Sequence, residues 1–254
     1  MFYVDGTTTL VYRKTTDGGA SWGGKVTVAS GGALNKFSVW YDRWTSGDDG
    51  TLIHIAFVRN SGDGTFYRNL DTSTDTFGIL ATVAAYLNGS LVSAYTNTCC
   101  AITKARGGNL YIAYNVDAAP EEGFYRSIDA GASWVSRALV TEGVLTDKYF
   151  LLPGNEADNQ DVWCIYWDRT ATELSLKTYD DSGDSWSEQA ILAGVNLGFS
   201  AGLQMSGSTR HSDDHAIVCC MTDWNLNAAT LRVWDINGAG SIVPLMDVYT
   251  AELN

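Results

Sequence analysis

Short apolar runs rich in β-branched and aromatic residues recur along the whole chain, separated by turns of Gly, Asp, Ser and Thr. Four of them, 51–58, 109–116, 161–167 and 215–221, are long and apolar enough to predict strands buried on both faces. Each is followed by a second run that predicts a neighbouring strand, at 65–68, 123–126, 174–177 and 231–234. A further strand is expected after each turn, as at 25–29 and 190–193. Another is expected upstream of each buried run, at 37–41, 95–102, 149–152 and 201–205. This is four strands per repeat, and no helix is needed anywhere.

The turns between the third and fourth runs carry a repeated pattern of eight residues. Thr15 to Trp22, Ser127 to Trp134 and Tyr179 to Trp186 all read small or polar residue, any, Asp, any, Gly, any, Ser, Trp. An Asp carboxylate can accept backbone N–H groups in a tight turn, Gly supplies a position with φ > 0, and Trp folds back as an apolar plug. The residues assigned to this role are Asp17, Gly19 and Trp22, then Asp129, Gly131 and Trp134, then Asp181, Gly183 and Trp186. Degenerate copies stand at Asp71, with Ser73 in place of Gly, and at Asp235. The five Asp positions are spaced by 54, 58, 52 and 54 residues. Such a period predicts a β-propeller with one four-stranded antiparallel blade per repeat.

This pattern resembles the Asp-box, or BNR repeat, of the sialidase-like propeller superfamily. The resemblance implies an all-β, five-bladed propeller in one domain over 1–254, with repeats at about 1–33, 34–90, 91–144, 145–196 and 197–254. Measured against the period, the first blade lacks its own inner strand. The tail from Tyr249 to Asn254 is the candidate in this chain to fill that gap, with a larger polypeptide or a neighbouring subunit as the alternative.

Composition narrows the partners. A formal net charge of −13 repels nucleic acid and anionic membrane surfaces, and no run of Lys or Arg offsets it. No apolar stretch approaches the length of a membrane span, and the first residues do not form a signal peptide. The five cysteines, two vicinal pairs and Cys164, all lie in strand-like runs where neighbours face opposite ways, so buried thiols are expected rather than disulfides or metal ligands. His54, His211 and His215 have no ligand spacing, and the acidic turns lack a calcium-loop pattern. No metal and no cofactor are expected.

In the resembled family the boxes lie on the face away from the ligand, which directs attention to the opposite ends of the strands. There the second strands end at Asp5, Arg59, Asp117, Arg169 and Asp223, a column of alternating sign. Its plain reading is a rim of ion pairs; its functional reading is a polar cradle, with Trp167-Asp168-Arg169 and Asp223-Trp224 adding aromatic platforms to hydrogen-bonding groups. Lys36, Lys148 and Tyr149, at the starts of inner strands, extend the candidate site towards an acidic ligand. The expected partner is a glycan or another small polar molecule.

Two function classes follow. One is a non-catalytic recognition or structural module facing carbohydrate; the other is a glycoside hydrolase. The resembled sialidases carry an Arg-Ile-Pro motif, an arginine triad and a Tyr nucleophile activated by Glu; this chain has no Arg-Ile-Pro, and Arg13, Arg68, Arg126 and Arg232 recur in strand three as a repeat feature. Recognition is therefore the expectation, with no catalytic residue assigned. Free thiols suit a reducing place of synthesis, whereas such propellers meet ligands outside cells. A phage virion component released by lysis reconciles the two, alone or beside other virion subunits.

Overall fold

The computed structural model describes residues 1–32, 34–59, 64–85, 99–116, 121–141, 148–154, 159–168, 170–194, 205–210, 215–222, 230–237 and 240–249. They form antiparallel sheets in chain order, one from each of five consecutive segments. Sheet one holds β1 (Phe2–Asp5), β2 (Thr9–Tyr12) and β3 (Val26–Ala29). Sheet two holds β4 (Leu34–Tyr41), β5 (Leu52–Arg59) and β6 (Gly64–Asp71), with an interrupted outer strand made of β7 (Thr76–Phe77) and β8 (Ala81–Ala85), both paired to β6. Sheet three is β9 (Cys99–Lys104), β10 (Leu110–Val116), β11 (Glu121–Ser127) and β12 (Val135–Ser136). Sheet four is β13 (Lys148–Pro153), β14 (Val162–Asp168), β15 (Glu173–Asp180) and β16 (Ser185–Ala193). Sheet five is β17 (Met205–Arg210), β18 (His215–Thr222), β19 (Thr230–Ile236) and β20 (Ile242–Tyr249). A single 3₁₀ turn at Asp42–Trp44 is the helical element among the described residues.

The apolar runs explain the packing. β10 is buried at every position and β14 over its first five, because each sheet is covered on both faces by its neighbours. One core spans sheets two to five through Trp40, Tyr67, Ile112, Trp163, Leu176 and Trp234. A second lies between sheets three and four, and a third joins sheet one to sheet two through Leu10, Tyr12, Phe57 and Phe66. In β18, by contrast, burial alternates over residues 215–220, so one face of sheet five is covered less than the faces within the stack. The first strands pack side by side, β4 on β9, β9 on β13 and β13 on β17. Thr209 of β17 also donates its hydroxyl to the carbonyl of Trp44 after β4.

Three expectations need correction. The described first strand of the fifth repeat runs over Met205–Arg210, past the expected end at 205, while 201–204 lie outside the described residues. The strand's sequence, Met-Ser-Gly-Ser-Thr-Arg, is too polar for an apolar run to mark it. Asp247 and Tyr249 do not lead towards sheet one, because they pair with Arg232 and Thr230 inside sheet five; the residues after 249 lie outside those described.

The third correction concerns the eight-residue turns. At the first, Thr15 accepts the Gly19 N–H (2.9 Å) and donates to Asp17 (2.7 Å), which accepts the Ser21 N–H (2.9 Å) and hydroxyl (2.5 Å). At the second, Ser127, Asp129, Gly131 and Ser133 repeat those bonds at 2.8, 2.8, 2.9 and 2.5 Å. Such donors hold the Asp129 carboxyl down at about 2. At the third, Asp181 does not hold the turn. Asp180 accepts Ser182 and Gly183 N–H groups instead, within a hairpin that pairs Asp180 with Ser185. The reason is Tyr179: a buried phenol two residues before Asp181 cannot supply the pivot hydroxyl of Thr15 or Ser127. Asp71 forms the same kind of hairpin, accepting Ser73.

Two of the tryptophans after the turns, Trp134 and Trp186, pack against neighbouring sheets. Trp134 sits 5.2 Å from Tyr67 of sheet two and donates its indole N–H to the Gly131 carbonyl (3.1 Å). Trp186 lies 5.0 Å from Phe124 of sheet three and donates to the Ala138 carbonyl (2.9 Å). Since Trp134 is only half-buried, Trp134→Ala should cost about 2–3 kcal/mol, below the range for a fully buried ring. Urea unfolding reads this directly, and an unchanged midpoint would show that the ring does not couple the sheets.

Candidate functional site

Antiparallel pairing puts the start of each first strand beside the end of each second strand. Lys148 thus pairs in register with Trp167, and Leu34 with Arg59, at the end of the sheets away from the Asp17 and Asp129 turns. Lys36, Ser38 and Trp40 share one face of β4, and Lys148, Phe150 and Leu152 one face of β13, by the period of two. Below the lysines these strands enclose a cavity of about 280 Å³, lined by Ser38, Val39, Trp40, Trp44, Ile102, Phe150 to Leu152 and Met205 to Ser208. Four first strands, from sheets two to five, contribute to it. Its walls are mainly apolar, and the two lysines continue the same rows above it.

The sequence-derived residues divide sharply. Asp5 is tied to Lys25 at 2.8 Å. Arg59 lies over the Phe66 ring at 4.2 Å and donates to the Ser30 carbonyl (3.2 Å), joining sheets one and two. Asp168 accepts the Ala171 N–H (2.8 Å) and caps its own turn. These three have structural duties. Tyr149 is buried among Cys99, Cys164 and Tyr166, and burial pushes its hydroxyl well above the ordinary range, which suits it to packing rather than nucleophilic attack. Asp117, Arg169, Asp223 and Trp224 lie outside the described residues, as do most of the connections at this end.

What the structure brings together is Lys148 and Trp167, with Lys36 two strands away. Lys36 is exposed and makes no hydrogen bond or ion pair among the described residues. Trp167 is packed partly into the main core, but its indole N–H is enclosed and has no acceptor among those residues. An enclosed unpaired donor costs about 1–3 kcal/mol, so a ligand oxygen that displaced the groups covering this one would regain that cost.

At the opposite end lies a buried charge cluster that the sequence did not flag. Asp42, 2% exposed, takes hydrogen bonds from His54 Nε2 (2.8 Å), Lys104 (2.7 Å) and the Leu52 N–H (2.8 Å). Lys104 also reaches Asp48 (2.6 Å), and His54 Nδ1 meets the Tyr67 hydroxyl (2.7 Å). Burial opposes the Asp42 charge, yet these donors outweigh it and hold the carboxyl below the usual range. The cluster joins sheets two and three. Among the described residues no group of His, Cys, Asp and Glu is arranged to hold a metal, and no helix is long and apolar enough to cross a membrane. All five cysteines are free; burial raises the thiols of Cys100, Cys164 and Cys220.

No protein-family model and no curated protein sequence matches the chain. Among solved structures it is similar to a protein from Lactobacillus plantarum, with a TM-score of 0.54 and 11% identity over 97% of this chain and 70% of that one. It is similar to the leech intramolecular trans-sialidase complexed with 2,7-anhydro-Neu5Ac, with a TM-score of 0.50 and 13% identity over 84% of this chain. It is also similar to an ulvan lyase, a polysaccharide lyase bound to a glucuronate–sulfated rhamnose unit, with a TM-score of 0.52 and 12% identity over 94% of this chain. The chain spans 33% of the trans-sialidase and 61% of the lyase. At such identities the likeness is one of fold, and it is consistent with a sialidase-like β-propeller.

Proposed function

We propose that the chain is a recognition module that binds a carbohydrate, without turning it over, at the end of the sheets bearing Lys36, Lys148 and Trp167. The observation that carries this reading is the register of Trp167 with Lys148, which sets an aromatic side chain with an unpaired indole N–H beside a cation. A sugar oxygen would satisfy that donor while the lysines favour an acidic substituent. Two of the similar structures are carbohydrate-active proteins by name, which supports the ligand class. Of the carboxylates at this end, Asp5 is committed to Lys25, Asp168 to its turn and Glu173 to the Ser175 hydroxyl, which favours binding over hydrolysis at these three groups.

The test is a glycan array run beside hydrolysis of fluorogenic glycosides. Binding without turnover is expected, and Trp167→Phe, which keeps the ring but removes the donor, should weaken the best ligand about tenfold. Turnover of any glycoside would overturn the non-catalytic reading in favour of a glycoside hydrolase of sialidase-like type.

A further inference from the structure

Two residue types recur through the repeats, and in sheet one both are left unengaged. The strand-three arginines of later sheets are tied off: Arg68 donates to the Val28 and Gly78 carbonyls, Arg126 to Asp181 at 2.7 and 2.8 Å, and Arg232 faces Asp247 at 3.9 Å. Arg13 makes no side-chain hydrogen bond or ion pair among the described residues, and its Nε is enclosed. Trp134 and Trp186 stack on a neighbouring sheet and spend their indole N–H on a carbonyl. Trp22 is 42% exposed, and its indole has no acceptor among those residues.

Arg13 and Trp22 line the same cavity, about 240 Å³, between sheets one and two on the side of the Asp17 turn. Phe2 and Tyr12 supply apolar wall, and Lys14 faces Asp75 at 3.5 Å across the opening, both about half exposed. Asp75 is further occupied by the Tyr12 hydroxyl (2.8 Å). The cavity thus carries one cationic side chain, Arg13, beyond the Lys14–Asp75 pair. Its segment, 1–33, holds three basic and two acidic residues in a chain whose net charge is −13.

We infer that this cavity is a second binding site, for an anionic saccharide, separate from the one proposed at the opposite end. An exposed indole offers a flat apolar face to the C–H side of a pyranose ring, and a guanidinium offers a planar fork to a carboxylate or sulfate on that ring. An acidic peptide fits less well, because the backbone groups beside the cavity are already used in the Thr15–Ser21 turn.

The experiment is calorimetric titration of the intact protein with a galacturonate tetramer, a sulfated galactan tetramer and neutral galactotetraose. Binding of at least one charged oligomer and none of the neutral one is expected. In a Trp167→Phe background, which weakens the other site, Arg13→Gln and Trp22→Ala should each weaken the remaining binding about tenfold or more, with Trp22→Phe recovering part. That background separates this site from the other, and removal of an exposed Trp22 leaves no internal void to compromise folding. Binding that ignores Arg13→Gln, equal binding of the neutral oligomer, or no heat from either charged oligomer at millimolar concentration would overturn the inference. So would self-association of the protein that Trp22→Ala abolishes, since it would place a second copy on the ring.

Discussion

Asp42→Ala should destabilise the protein by about 3–5 kcal/mol, the cost of removing one partner from a buried ion-paired and hydrogen-bonded cluster. The variant strips His54 Nε2 and the Leu52 N–H of their acceptor and leaves Lys104 with Asp48 as its remaining partner in the cluster. The same geometry fixes a pH dependence. The Asp42 carboxyl is held below its ordinary value in the folded state, so its contribution is complete above the unfolded value near pH 4 and is lost as pH falls towards the folded one. The gap between wild type and variant in urea midpoint should therefore be widest near neutrality and close progressively below about pH 4. Equal midpoints at pH 7 would show that the cluster contributes nothing net.

The second large effect comes from a contrast within one sequence pattern. Gly19 and Gly131 occupy the same position in the two matching turns, with φ of +97° and +91°. Alanine is strained at both by about 1–2 kcal/mol. At Gly19 a Cβ would meet nothing within 4 Å, so the strain is the whole cost. At Gly131 it would fall inside the ring of Tyr67, which is 2% exposed and bonded to His54. Displacing that ring adds about 1–3 kcal/mol of overpacking, so Gly131→Ala should cost about 2–5 kcal/mol in all. Thermal unfolding of the pair is the check. Identical losses would mean that Tyr67 yields freely and that the seam between sheets two and three is loosely packed.

The sequence was most informative where a residue's role depends on its near neighbours. The buried second strands at Leu52–Arg59, Leu110–Val116 and Val162–Asp168 follow from unbroken apolar runs, since only a strand covered on both faces tolerates them. The Met205–Arg210 strand was invisible because it is polar and owes its place to pairing with β18. The turns were half legible: Thr15 and Ser127 reveal the pivot hydroxyl, while Tyr179 in the same place changes the turn and frees Asp181 to bind Tyr111 and Arg126. At the candidate site, strand counting put Lys148 and Trp167 at the same end of the sheets, and the structure pairs them in register. It could not show that Asp5 and Arg59 were already spent, on Lys25 and on the Ser30 carbonyl, because those partners lie 20 and 29 residues away. Asp42 escaped notice for the same reason, its lysine partner standing 62 residues on.

The tyrosines at the seams have a consequence for how the chain is made. Tyr12 donates to Asp75, Tyr67 to the Ala130 carbonyl and Tyr111 to Asp181, each reaching forward by 63, 63 and 70 residues into the 3–4 turn of the next sheet. The direction is the same at these three seams. On a ribosome adding about 5–20 residues per second, a newly formed sheet therefore waits several seconds for the turn that completes it. During that interval its tyrosine hydroxyl and one apolar face are exposed at the growing end, so assembly is vectorial, and the stretch most open to misassociation at any moment is the sheet most recently synthesised.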